Sequence, residues 1–213
     1  MAGTFITLEG IDGCGKSTQA KLLAEAFAHT GSEVLLLREP GGTPISEKIR
    51  ALLLDPENEE MCDECELLLY EASRAQLVRE VIEPALVRGA MVICDRFYDS
   101  TYAYQHGGRG LSRDLVKTCN ALGSCGLAPT CTVVFDLEPG VALSRATKGG
   151  ADRLESEGLQ FQERIRNAYL ELADAEPTRV EVVDATGTPE EVYERLVAAL
   201  ADLLPAPKRS EES

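Results

Sequence analysis

An α/β fold, a parallel sheet with helices on both faces, is predicted by three features of this 213-residue chain. Five short apolar runs recur along it, each short enough for a buried strand. Helical patterns fill the intervals, and that alternation is the signature of β-α-β units. The glycine-bearing and charged clusters fall directly after the apolar runs, where parallel strands gather ligands at their carboxyl ends.

Taken in order, the first run is Phe5 to Leu8, and it opens onto Gly10-Ile-Asp-Gly-Cys-Gly-Lys-Ser-Thr18. A helix is expected over Gln19 to Ala28, where Leu22, Leu23, Ala26 and Phe27 recur at helical spacing. The second run, Val34 to Leu37, ends in Arg38-Glu39-Pro40. From Met61 to Arg88 a long helical pattern carries Leu67, Leu68, Leu69, Ala72, Ala75, Leu77, Val78, Val81 and Ile82, with a bend expected at Pro84. The third run, Met91 to Cys94, ends in Asp95-Arg96; the fourth spans Thr132 to Leu137. A charged, glycine-containing stretch from Ala146 to Gly158 follows and has the composition of a mobile lid. The last run, Val180 to Val183, ends in Asp184-Ala185, and a ligand-facing loop is expected from Asp184 to Thr188.

A chain of this length with 44% hydrophobic residues supports one core, so a single domain is expected over residues 1–204. The polar, proline-broken tail, 205–213, is expected to be disordered. A formal charge of −15 argues against nucleic acid or anionic membrane as a partner. With no basic leader and no apolar run of spanning length, a cytoplasmic location is expected. Seven cysteines, an odd number, suit reduced thiols better than a disulfide framework. Cys62 and Cys65 form a CxxC pair, read here as incidental thiols because no second pair lies at zinc-site spacing.

The first loop is the chemically specific element. Gly10, Gly15, Lys16 and Ser17 have the spacing of a loop whose backbone N–H groups surround nucleotide phosphates, with Lys16 on the terminal phosphates and the Ser17 hydroxyl on magnesium. Ile11, Asp12, Gly13, Cys14 and Thr18 complete the expected ATP cradle. Kinases, ATPases and GTPases all use such a loop. A guanine-reading Asn-Lys-x-Asp is missing, since none of Asn58, Asn120 or Asn167 begins one. After the third run, Arg96 stands where a motor ATPase has its water-activating acid, which suits an enzyme that seats a second anion and keeps water out.

Read together, Gly10 to Thr18, Arg38-Glu39-Pro40-Gly41-Gly42-Thr43, Ser73-Arg74-Ala75, Asp95 to Thr101 with Ala103-Tyr104-Gln105, and Asp152-Arg153 resemble the ordered motif set of bacterial thymidylate kinases. The resemblance runs to about Leu200. It implies a nucleoside-monophosphate-kinase fold with a five-stranded parallel sheet, ATP-dependent phosphorylation of dTMP with Mg²⁺, and a homodimer. By the same resemblance Arg96 and Arg38 hold the acceptor phosphate, and Asp95 orients Arg96 or a metal-bound water. Asp12 accepts the sugar 3′-hydroxyl, and Tyr104 leaves little room for a 2′-hydroxyl. Tyr70 stacks on the base where the family usually has phenylalanine, so its hydroxyl and the neighbouring Glu71 are departures. Arg74 contacts a thymine carbonyl, while Thr101 and Gln105 line the base edge. No basic residue stands between Ile11 and Cys14, so the charge of the transferred phosphoryl is expected to be met by Arg145, Lys148 and Arg153. The rival readings are another kinase of the same fold and, in a different class, an ATP-binding regulatory protein with no acceptor.

Overall fold

The computed structural model describes residues 3–146 and 157–203. Five strands, β1 (Thr4–Glu9), β2 (Val34–Arg38), β3 (Met91–Asp95), β4 (Cys131–Asp136) and β5 (Val180–Asp184), form one all-parallel sheet in the order β2-β3-β1-β4-β5. All five correspond to the apolar runs. Because β1 is central and covered on both faces, Phe5, Ile6 and Leu8 are at most 1% exposed, whereas Leu36 and Val182 on the edge strands are partly in water. Two cores result. Ile6, Leu8, Leu23, Phe27, Ile93, Val133 and Ile165 pack in one, and Phe5, Leu77, Val78, Ile82, Val92 and Phe97 in the other.

The helices are α1 (Lys16–Ala28), α2 (Pro44–Leu54), α3 (Asp63–Leu77), α4 (Glu83–Val87), α5 (Tyr98–Thr101), α6 (Arg113–Gly123), α7 (Pro139–Ala146), α8 (Leu159–Ala175) and α9 (Pro189–Ala199). α1 begins three residues earlier than its apolar spacing suggests, because Gly15 supplies the cap rather than an apolar residue. The long helical pattern from Met61 to Arg88 is realised as three pieces: α3, a π-helical turn over Val78–Ile82, and α4. The wide turn lies just ahead of Pro84, which has no N–H to donate and whose ring crowds the carbonyl four residues back. Glu83 N–H accordingly donates to Val78, five residues away. A second π-helical segment, Tyr102–Gly108, continues α5 and was not foreshadowed by any periodicity. No described helix is long and apolar enough to cross a membrane. The segment expected as a lid falls almost wholly outside the described residues, as does the tail.

Candidate active site

The loops after β1, β2 and β3 are stitched together by main-chain bonds. Arg96 N–H donates to Leu8 O and Glu39 N–H to Asp95 O, each at 3.0 Å. These loops, with α2, α3 and the segment from Ser100 to Gln105, line a cleft of about 450 Å³ at the carboxyl edge of the sheet. Lys16, Arg38, Arg50, Arg96 and Arg145 line it against Asp12, Glu39 and Asp95, so a chain of net charge −15 has a cationic excess here.

The glycine loop can take its shape only with glycine at critical places. Gly15 caps α1 at φ +100°, and at Gly13 a Cβ would lie 2.1 Å from the Ala142 carbonyl oxygen of α7. The loop N–H groups and the start of α1 form an anion-binding end. Lys16 is buried and donates from Nζ to Ile11 O at 2.9 Å, with Cys14 Sγ at 3.7 Å. Ser17 Oγ donates to Asp95 Oδ2 at 2.5 Å, which joins the loop to the end of β3.

Arg96 sits at φ +73°, a left-handed conformation that costs a non-glycine residue about 1 kcal/mol or more. The turn aims its guanidinium back over the glycine loop. Nη1 donates to Gly10 O and Ser100 Oγ, both at 3.1 Å, and Nη2 donates to Asp12 Oδ1 at 2.5 Å and Tyr104 Oη at 2.9 Å. Tyr104 Oη in turn donates to Asp12 Oδ2 at 2.8 Å. Burial opposes ionisation of Asp12, but Arg96, Lys16 and the Tyr104 hydroxyl outweigh it and hold its carboxyl down at about 2.

A residue not foreseen from the sequence, Glu9, secures that turn. Its Oε1 accepts from Phe97 N–H at 2.6 Å, and its Oε2 accepts from Ser100 Oγ at 2.6 Å and Tyr169 Oη at 2.8 Å. Burial, and next the charge of Asp99, push Glu9 up to about 7, against the pull of Arg96. The available clue was an acid at the end of an apolar run. Arg50 was also missed: it lines the cleft from α2 and donates from Nη1 to Pro40 O at 2.9 Å, the carbonyl that Arg38 reaches at 3.0 Å.

At the other end of the cleft Tyr70, Thr101, Tyr104 and Gln105 converge. Arg74, 1% exposed, is not among the lining residues. Its Nε donates to Glu39 Oε2 at 2.8 Å, Nη1 to Glu71 Oε1 at 2.6 Å and Nη2 to Thr101 Oγ1 at 2.9 Å. Burial raises Glu39 to about 7 even though Arg74 pulls the other way. Glu71, the departure beside Tyr70, fits because residue 123 on α6 is glycine; a Cβ there would overlap Glu71 Oε2 at 1.8 Å. Arg153 and Lys148 lie outside the described residues, whereas Arg145 lines the cleft from α7. The Asp184 loop is closed on itself: Thr186 N–H donates to Asp184 Oδ1 at 2.9 Å, and Arg195 reaches the Asp184 and Thr186 carbonyls at 2.7 Å each. Gln19 ties α1 to it through Pro189 O at 2.9 Å. Cys62 and Cys65 are exposed, and no group of three or more His, Cys, Asp or Glu among the described residues could hold a metal ion.

The family model described as thymidylate kinase matches residues 8–196. The chain is similar to the thymidylate kinase of Pseudomonas syringae pv. syringae, with 50% identity over 205 residues that cover 96% of this chain and 98% of that protein. It is also similar to that of Trichlorobacter lovleyi, at 47% over 210 residues covering 95% and 99%. A solved thymidylate kinase from Ehrlichia chaffeensis superposes with a TM-score of 0.79 at 31% identity, covering 94% of this chain and all of that one. With the family model spanning residues 8–196 and relatives about 50% identical over nearly the whole chain, on a sheet whose phosphate loop and facing arginine line one cleft, the chain belongs to the thymidylate kinases.

Proposed function

We propose that the protein transfers the terminal phosphoryl group of ATP to dTMP, yielding dTDP and ADP. The observation that carries this reading is Arg96, an arginine held over the phosphate loop with a single carboxylate partner, Asp12, and otherwise neutral oxygens around it. With Lys16, Arg38, Arg50 and Arg145 lining the same cleft, the positive excess needed to seat a second anion beside the first is kept. Lys16 and the N–H groups of the glycine loop hold the donor phosphates, while Arg96 and Arg38 hold the acceptor phosphate. Two polyanions repel each other, so fixing both in one water-poor cleft does most of the catalytic work. Arg145 and Arg153 supply positive charge to the phosphoryl group in transfer.

The residues present fit Mg²⁺. A hydroxyl and a carboxylate, Ser17 and Asp95, stand side by side as hard oxygen donors, and so few protein ligands suit an ion that keeps waters and binds substrate phosphates. When bound it neutralises charge on the donor phosphates. Asp12 and Tyr104 meet the sugar, Tyr70 offers its ring face to the base, and Arg74 sets Thr101 for the base edge. A homodimer is part of this reading, supported by the outer surfaces of α2, α3 and α6, where Ile45, Leu52, Leu68, Leu115 and Leu122 are 42–78% exposed, the kind of apolar surface that a second copy covers.

The test is to incubate the purified protein with ATP, Mg²⁺ and, separately, dTMP, dUMP, dCMP, dAMP and thymidine. Formation of dTDP is expected in the first arm, with loss of nearly all turnover in Lys16→Ala while circular dichroism is unchanged. Wild-type protein that hydrolyses ATP at a rate indifferent to every acceptor refutes the reading. Light scattering on the same sample, giving twice 23.0 kDa, checks the dimer.

A further inference from the structure

The base end of the cleft is backed by an acid that belongs to none of the motifs. Glu66, in the first turn of α3, is 1% exposed and immediately precedes the apolar run Leu67-Leu68-Leu69. Its Oε1 accepts from Gln105 Nε2 at 2.8 Å and from Arg109 Nε at 3.3 Å, and its Oε2 accepts from Arg109 Nη2 at 3.2 Å. Arg109 is itself held: its guanidinium lies 5.0 Å over the Phe161 ring and also pairs with Glu157, with Asp63 at 3.5 Å. Among the described residues the Glu66 carboxylate is thus held by a fixed guanidinium and a side-chain amide.

An amide has a donor end and an acceptor end, whereas a carboxylate only accepts. The end of Gln105 that meets Glu66 must therefore be its NH₂, and turning the amide over would press two acceptor oxygens together. The carbonyl Oε1 of Gln105 is left for the cleft, which Gln105 lines, and no hydrogen bond reaches that oxygen from the described residues. Resting on the proposed nucleotide-kinase function, we propose that Glu66, locked by Arg109, is a positioning residue that fixes Gln105 with its acceptor toward the base. The enzyme thereby prefers pyrimidines with a proton on N3, thymine or uracil, over cytosine. The N3 of cytosine is an acceptor, and against a fixed acceptor it leaves two lone pairs facing each other in a desolvated place. Sites built around one buried hydrogen bond reject the analogue that cannot make it more strongly than apolar pockets reject a misfit.

The experiment compares kcat/KM for dTMP and dCMP, with Mg-ATP, in wild type, Glu66→Gln and Arg109→Lys, with fold and Tm followed by circular dichroism. In Glu66→Gln the facing group carries both a donor and an acceptor, so the Gln105 amide can turn over. The preference for dTMP over dCMP is expected to fall at least about tenfold, mainly through KM, with kcat on saturating dTMP changed less than about threefold. Arg109→Lys keeps the charge but loosens the fork, so a smaller fall is expected, and it decides the matter should Glu66→Gln not fold. A dTMP to dCMP ratio unchanged in a folded variant overturns the proposal, because loss of packing alone weakens both nucleotides alike. A wild type that phosphorylates neither nucleotide refutes the kinase reading itself, a separate result.

Discussion

Arg96 lines the cleft, Arg74 lies buried beside it, and the two are wired differently. Arg96 has one carboxylate partner, and its remaining donors go to a main-chain carbonyl and to hydroxyls. Arg74 has two carboxylates and one hydroxyl, and is almost completely buried. Asp12 neutralises Arg96 once, whereas Glu39 and Glu71 over-neutralise Arg74, which is one reason Glu39 is pushed up to about 7 once burial has acted on it. The lesson is electrostatic. A lining guanidinium with one carboxylate partner and Lys16 nearby leaves the cleft its positive excess, whereas a buried one held between two carboxylates is tied into the frame.

The largest expected effect is structural. Arg74→Met leaves two buried carboxylates without their cation, so unfolding in urea is expected to show a loss of about 3–5 kcal/mol. If the variant keeps its stability and loses only dTMP affinity, Arg74 is a binding group and the contrast fails. Next in size, Arg96→Met is expected to lower kcat/KM by about 10²–10³ with little change in Tm, because it removes a group that acts on substrate charge. A variant that melts early with normal turnover would reverse the assignment.

The smallest effect concerns Glu9, which holds the Arg96 turn. Its pKa, and that of Glu39, are raised from the ordinary carboxylate range to about 7. The folded state therefore binds these protons more tightly than the unfolded chain. The stability they contribute is fully present below about pH 4.5 and is lost as pH rises through about 7. Asp12, lowered to about 2, acts with the opposite sign and only between about 3.8 and 2. In Glu9→Gln the decline of unfolding free energy between pH 4.5 and 7 is expected to shrink by at most about 3 kcal/mol. An undiminished decline, measured by denaturation across that range, assigns the pH dependence to Glu39 alone.

The two ends also differ in how readily the sequence displays them. The phosphate end could be read directly, because Gly10 to Thr18 is contiguous and its chemistry is mostly that of the main chain. The other end depends on pairs far apart in the chain: Glu39 with Arg74 across 35 positions and Glu66 with Gln105 across 39, and the Arg96 turn likewise needs Glu9 with Tyr169 across 160. That Arg74 is bonded to Glu39 could not be read from its local spacing, since nothing there shows that Glu39 will arrive from the end of β2. The π-helical turns escaped notice for a related reason. A five-residue register has no apolar period of its own, and both turns arise where neighbouring elements or Pro84 disturb an ordinary helix.

By itself the sequence determined the strand count, the alternation that makes the sheet parallel, and the phosphate loop, because each is written in neighbouring residues whose backbone preferences and apolar periods act locally. Only the tertiary structure decided which carboxylate meets which cation. Ion pairs and oriented amides draw on distance and desolvation, and these exist only once the strand ends have been brought to one edge of the sheet.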